Sequence, residues 1–154
     1  MHFSDPLEKA VTMAKENAAR RGLHILHPQH LIEAILQQGN MSGKLQKLGI
    51  VPEDLLRALQ VEIGYPTNTI PMTSRTQVEE GSEYAVFIIA AEEKAEDNGY
   101  TRLTTCCTFA SITQLESCES VQRVFRMFDL TEKKLDAMIT HAIERQRELA
   151  LTHA

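Results

Sequence analysis

The chain has 154 residues, 43% of them apolar, with little aromatic content, no tryptophan and a formal net charge of −5. That length is most simply one domain with a real core, and the apolar content excludes a chain too polar to collapse. Net acidity without a basic block argues against a nucleic-acid surface, and no apolar run approaches the ~20 residues of a membrane span.

Met1-His2-Phe3-Ser4-Asp5 lacks the basic-then-apolar order of a secretory signal. An odd number of cysteines, three, fits a reducing compartment. The expected location is therefore cytoplasmic.

Ser4 is a good N-cap, and Pro6 is tolerated in the turn that follows. Leu7, Ala10, Val11, Ala14 and Ala18 recur at helical spacing, Arg20 and Arg21 suit the negative end of the dipole, and Gly22 is the stop. The pattern predicts a first helix over about residues 5–21. A second helix starts near His27 or Pro28, buries Leu31, Ile32, Ile35 and Leu36, and ends at Gly39-Asn40. A short helix with Leu45 and Leu48 follows. Pro52-Glu53-Asp54 opens a fourth, with Leu55, Leu56, Leu59 and Ile63 inward.

Residues 64–74, with Gly64, Pro66, Asn68 and Pro71, read as a linker. From Ser82 the pattern resumes: Tyr84, Phe87, Ile88, Ala91 and Ala95 face inward, and Asn98-Gly99 is the stop. Another helix opens near Thr104 or Thr105 and carries Phe109, Ile112 and Leu115. Residues 117–120 read as loop. Val121, Val124, Phe125 and Phe128 form a short helix. Thr131 caps a last one with Leu135, Met138, Ile139, Ala142 and Ile143 inward, and residues 146–154 are expected to fray.

Elements five to eight copy elements one to four. Gly22, Leu26, Ile32 and Ile35 fall on Gly99, Leu103, Phe109 and Ile112, an offset of 77 residues. Gly49-Ile50-Val51-Pro52 falls on Asp129-Leu130-Thr131-Glu132, an offset of 80. Such self-similarity marks a duplicated structural unit. The reading is an all-α domain of about eight helices in two pseudo-symmetric four-helix repeats: repeat one 3–63, linker 64–74, repeat two 75–145 and tail 146–154.

Phe3-Ser4 opening a helix, Ala14-x3-Ala18-x3-Gly22, Gln29-His30-Leu31-x3-Ile35-Leu36 and Leu48-Gly49-Ile50, in duplicated order, resemble the Clp N-terminal domain of Hsp100/Clp AAA+ unfoldases. The likeness covers about residues 3–145. It implies a non-catalytic docking module without a cofactor. Such a module recruits adaptor proteins or unfolded or tagged substrates for AAA+ modules in cis or Clp subunits in trans. In Gram-positive members a glutamate before the motif histidine of each repeat binds phosphoarginine. The matching positions here are Gln29 and Cys106, neither of which carries the charge, so that chemistry is not expected. Ser4 stands for the family threonine, and Gly81 is its counterpart in repeat two.

No Gly-x4-Gly-Lys-Ser/Thr phosphate loop occurs in the chain. His24, His27 and His30 are spaced for a helix, but the first two fall in a loop, so packing outweighs a metal site. Adjacent Cys106 and Cys107 at a helix start allow a thiol-based alternative, although their spacing fits no common zinc motif. A stand-alone regulator that binds Clp subunits or peptides is another alternative. Candidate partner-binding residues are Phe3, Ser4, Gln29, Glu33, Tyr65, Ile70, Met72 and Cys106.

Overall fold

In the computed structural model residues 1–65 and 77–152 are described. Among them the chain forms α1 (Asp5–Arg20), β1 (Ile25–Leu26), α2 (Pro28–Gln38), α3 (Ser42–Lys47), α4 (Pro52–Ile63), β2 (Glu79–Glu80), α5 (Ser82–Asp97), α6 (Thr105–Ser111), α7 (Glu119–Met127) and α8 (Glu132–Thr152). The expected eight-helix bundle of two repeats is what forms. Ile70 and Met72, with most of the linker, lie outside the described residues.

The helix ends follow the local chemistry. The Ser4 hydroxyl accepts the Leu7 N–H at 3.4 Å, Pro6 sits in the first turn, and Asp5 and Glu8 lie at the positive end of α1. Gly22 and Gly99 adopt φ of 73° and 84°, which reverses the chain after α1 and α5. Asp129 takes a φ of 56° where repeat one has Gly49 at 78°, so the same turn is made without glycine.

The helices then pack by repeat. α1 lies on α2 and α2 on α4; α5 lies on α6 and α6 on α8. α4 against α7 joins the repeats. One continuous core results, in which Leu7, Leu31, Phe87 and Phe109 are fully buried, and the rings of Phe109 and Phe125 meet at 4.9 Å.

Short strand pairings that the helical pattern did not foretell lock the repeats together. β1 pairs in parallel with β2, and Phe3 bridges Leu103. The Ser4 N–H donates to the Leu103 carbonyl at 2.9 Å, and the Gly81 N–H donates to the Leu26 carbonyl at 3.3 Å. Ser4 and Gly81 are counterparts, as are Leu103 and Leu26. Each repeat therefore pairs its leading segment with the other's interhelical loop.

Each repeat also has its own polar tie. In repeat one the buried Glu33 carboxylate takes two bonds from Arg21, both at 2.8 Å, and one from Gln60 at 3.1 Å, while Arg21 also donates to the Gly64 carbonyl. Losing one partner of such a pair typically costs roughly 3–5 kcal/mol, because the other charge stays buried. In repeat two Asn98 and Ala110 replace this pair, and Lys94 meets Asp136 at 2.6 Å instead.

Two expectations are corrected. Residues 117–120 are not loop: Glu116–Cys118 is a 3₁₀ turn and α7 already starts at Glu119. Gln122 donates to the Ile112 and Leu115 carbonyls, which folds the first turn of α7 over that stretch. Nor does the tail fray from residue 146, since α8 runs to Thr152. The fading apolar pattern there reports lost burial, whereas Arg145, Gln146, Arg147, Glu148, Leu149 and Ala150 are all good helix formers.

His30 shows how burial sets charge. It is 2% exposed, and its Nδ1 accepts the His27 N–H at 3.2 Å, which caps α2. Burial, then the Arg21 and His27 charges, lowers its pKa from 6.5 to about 3. Between those values the unfolded chain binds a proton that the folded chain does not, so stability falls as pH drops. Unfolding free energy should decline by about 1 kcal/mol per pH unit from pH 6.5 to about pH 5, and His30→Gln should flatten that slope in urea titrations.

Gly81 is held glycine by its neighbour. A Cβ there would lie 2.6 Å from Ile25 Cγ2 and 3.3 Å from the Leu26 carbonyl oxygen. Gly81→Ser would gain about a few tenths of a kcal/mol as a better cap and about 0.4–1 kcal/mol from a stiffer unfolded chain, but overpack at a cost of about 1–3 kcal/mol. It should destabilise the native chain and stabilise an Ile25→Ala background. A double-mutant cycle in urea checks the change of sign.

Candidate interaction surface

The sequence-predicted positions scatter. Phe3 and Ser4 are half-buried at the junction with Leu103, and Gln29 is half-buried in the first turn of α2, beside the opposite junction. Tyr65 is exposed beyond α4. Two candidates are inaccessible: Glu33 is fully buried against Arg21, and Cys106 is only 5% exposed, so neither presents a side chain to a partner.

The thiols are similarly withdrawn. Burial pushes Cys106 up to about 12, against the opposing pull of Lys44, and burial also raises Cys107 and Cys118. All three stay protonated near neutral pH, and a protonated thiol is a poor nucleophile and metal ligand. Cys107 occupies the place of His30. There the Thr104 hydroxyl accepts the Cys107 N–H at 3.2 Å, so repeat two caps its helix from the front where repeat one caps from the third residue back. No group of three or more potential ligands gathers to hold a metal among the described residues.

Beside the Phe3–Leu103 junction lies an open cleft of about 450 Å³, lined among others by Ser4, Tyr100, Arg102, Thr104, Ile143 and Arg147. Of the predicted positions among the described residues, Ser4 alone reaches it. Among the described residues its charges are the two arginines, and no carboxylate lines it. This disposition suits an anionic or neutral group and repels a guanidinium.

Exposed apolar side chains occur in several places, Val51 and Val61 at α4, Met127 at α7 and Leu151 on α8 among them, but two that share one helix face lie on α5. Val86 and Ile89 are 55% and 58% exposed, one turn apart on one face, with Ala85 exposed beside them. Their counterparts on α1 are Lys9 and Thr12, and Glu8 matches Ala85. The buried faces of α1 and α5 agree; their outer faces do not. Position-by-position comparison of the two copies would have found this difference in the sequence. Leu23 and Ile25, in the loop that pairs with β2, add two further exposed apolar side chains.

Residues 2–117 match the family described as the Clp repeat (R) N-terminal domain. No curated protein matches the sequence at a significant level. Among solved structures the fold is similar to the Hsp104 N-terminal domain from Candida albicans, with a TM-score of 0.69 at 12% identity, covering 90% of this chain and 89% of that one. It is also similar to the N-terminal domain of the caseinolytic protease associated chaperone ClpD from Arabidopsis thaliana, with a TM-score of 0.69 at 14% identity, covering 93% and 95%. The duplicated helices, the reciprocal junctions and the family match agree: this chain belongs to the Clp repeat N-terminal domains, the non-catalytic protein-interaction domains of Hsp100 chaperones.

Proposed function

We propose that this domain docks adaptor proteins or unfolded protein substrates for a Clp/Hsp100 unfoldase in the cytoplasm, with the outer face of α5 as its contact for apolar segments. The observation that carries the reading is the exposed Val86–Ile89 face, at positions where the sister repeat is polar. Nothing in the bundle requires apolar residues there, because α1 builds the same packing with Lys9 and Thr12. Exposed apolar side chains grouped on one helix face are the usual mark of a protein contact.

The test copies one repeat onto the other. Val86→Lys with Ile89→Thr gives α5 the α1 outer face without touching the core. Binding of a permanently unfolded protein, such as carboxymethylated lactalbumin, is followed by fluorescence anisotropy. The double variant should bind about tenfold more weakly, a loss of about 1.4 kcal/mol, with an unchanged urea midpoint. Undiminished binding would remove α5 from the contact, and no binding by the parent domain would remove the docking of unfolded proteins.

A further inference from the structure

The repeats are joined symmetrically at their strand junctions but not at their helices. α4 of repeat one closes against α7 of repeat two, and Arg123 of α7 reaches Glu62 of α4 at 2.8 Å across that contact. The corresponding contact, α8 against α3, stays open as a cleft of about 420 Å³. With the offset of 80, Arg123 falls on Gly43 and Glu62 falls on Ala142. Both of these residues line the open cleft, so the ion pair that bridges the closed side has no counterpart here.

The walls carry three cations, two lysines and an arginine, with a histidine beside them. Lys44 and Lys47 project from α3, and Arg145 and His141 from α8. No carboxylate lines the cleft, and none of these four side chains has a hydrogen-bond or ion-pair partner among the described residues. Arg145 belongs to the stretch of α8 past Ile143, the counterpart of the last residue of α4, so the wall is an extension that repeat one lacks. Leu149, half exposed, sits on the same wall beside Ala142. In a chain of net charge −5, a carboxylate-free recess with lysines and an arginine is a local reversal of sign.

We infer that the cleft between α3 and α8 binds an acidic peptide segment of a partner protein. Carboxylates would supply the counter-charge that Glu62 supplies on the closed side, and one apolar side chain would cover Ala142 and Leu149. A nucleic acid fits less well, because no Phe, Tyr or Trp among the described residues lines the recess to stack a base and the net acidity of the chain repels a long polyanion. The inference rests on the docking reading for the class of ligand, but it concerns a different face from α5.

The probe is a fluorescein-labelled peptide of mixed glutamate and leucine, titrated with the whole chain in an anisotropy assay. Binding should weaken with added salt. It should fall at least about tenfold in Lys44→Glu with Lys47→Glu, and to a similar degree in Arg145→Glu, with circular dichroism unchanged. Lys44→Ala with Lys47→Ala, a milder change, should fall in the same direction. Val86→Lys with Ile89→Thr should leave acidic-peptide binding intact.

Undiminished binding in the charge-reversed variants would overturn the location. A single-stranded oligonucleotide of equal charge that binds as tightly would overturn the peptide in favour of any polyanion. If the acidic peptide does not bind while the unfolded protein still does, the cleft proposal fails and the docking reading stands. If neither binds, both fail.

Discussion

The structure depends on one reciprocal constraint: the segment that leads into the first helix of each repeat is hydrogen-bonded to the interhelical loop of the other. Ser4 to Leu103 and Gly81 to Leu26 are the same bond made twice. Neither repeat satisfies these backbone groups alone, and an unpaired buried N–H or carbonyl is costly. Each unit thus completes its partner's loop. The loops in turn start α2 and α6, which carry much of the core, so two short pairings fix where both central helices lie.

Within that frame the two copies solve the same local problem with different residues. His30 caps α2 by accepting a bond from the residue before the helix; Thr104 caps α6 by accepting one from within it. The buried Arg21–Glu33 pair of repeat one gives way to Asn98 and Ala110, and a Lys94–Asp136 bond holds a different pair of helices. The junction itself tolerates less. Ser4 has room for a side chain and uses it as a cap, while its counterpart Gly81 lies against Ile25. The odd glycine of repeat two is a consequence of a β-branched residue in the loop of repeat one.

The helices could be read from the sequence because their evidence is local: Leu7, Ala10, Ala14 and Ala18 repeat at helical spacing, prolines open α1, α2 and α4, and glycines follow the ends of α1 to α5. The strand pairings could not, because Phe3 and Leu103 carry no alternation and their contact spans most of the chain. The same limit explains the misplaced site residues. Glu33 looks like an exposed acid on an amphipathic helix until Arg21, twelve residues earlier, is seen to reach it. Cys106 sits at a helix start, where a thiol is often activated, but it is buried there and its pKa rises instead. The tail past Ile143 read as fraying because apolar spacing reports burial and is silent on helices that stay in solvent.

A duplicated fold separates what packing demands from what it permits. Positions that agree between the copies, such as Leu26 with Leu103 or Ile35 with Ile112, are those the core requires. Positions that differ on the surface are free of that demand. Lys9 against Val86 and Thr12 against Ile89 lie on equivalent faces, and each copy folds with its own choice. The pair of contacts between α4 and α7 and between α3 and α8 carries the same logic one level up. Closing one of them holds the repeats together through the Glu62–Arg123 side. With the strand junctions already made, the second closure is not needed for the bundle to hold. An element pair that symmetry would close, and that stability does not need closed, is where a recess with its own charge can persist at little cost to the fold.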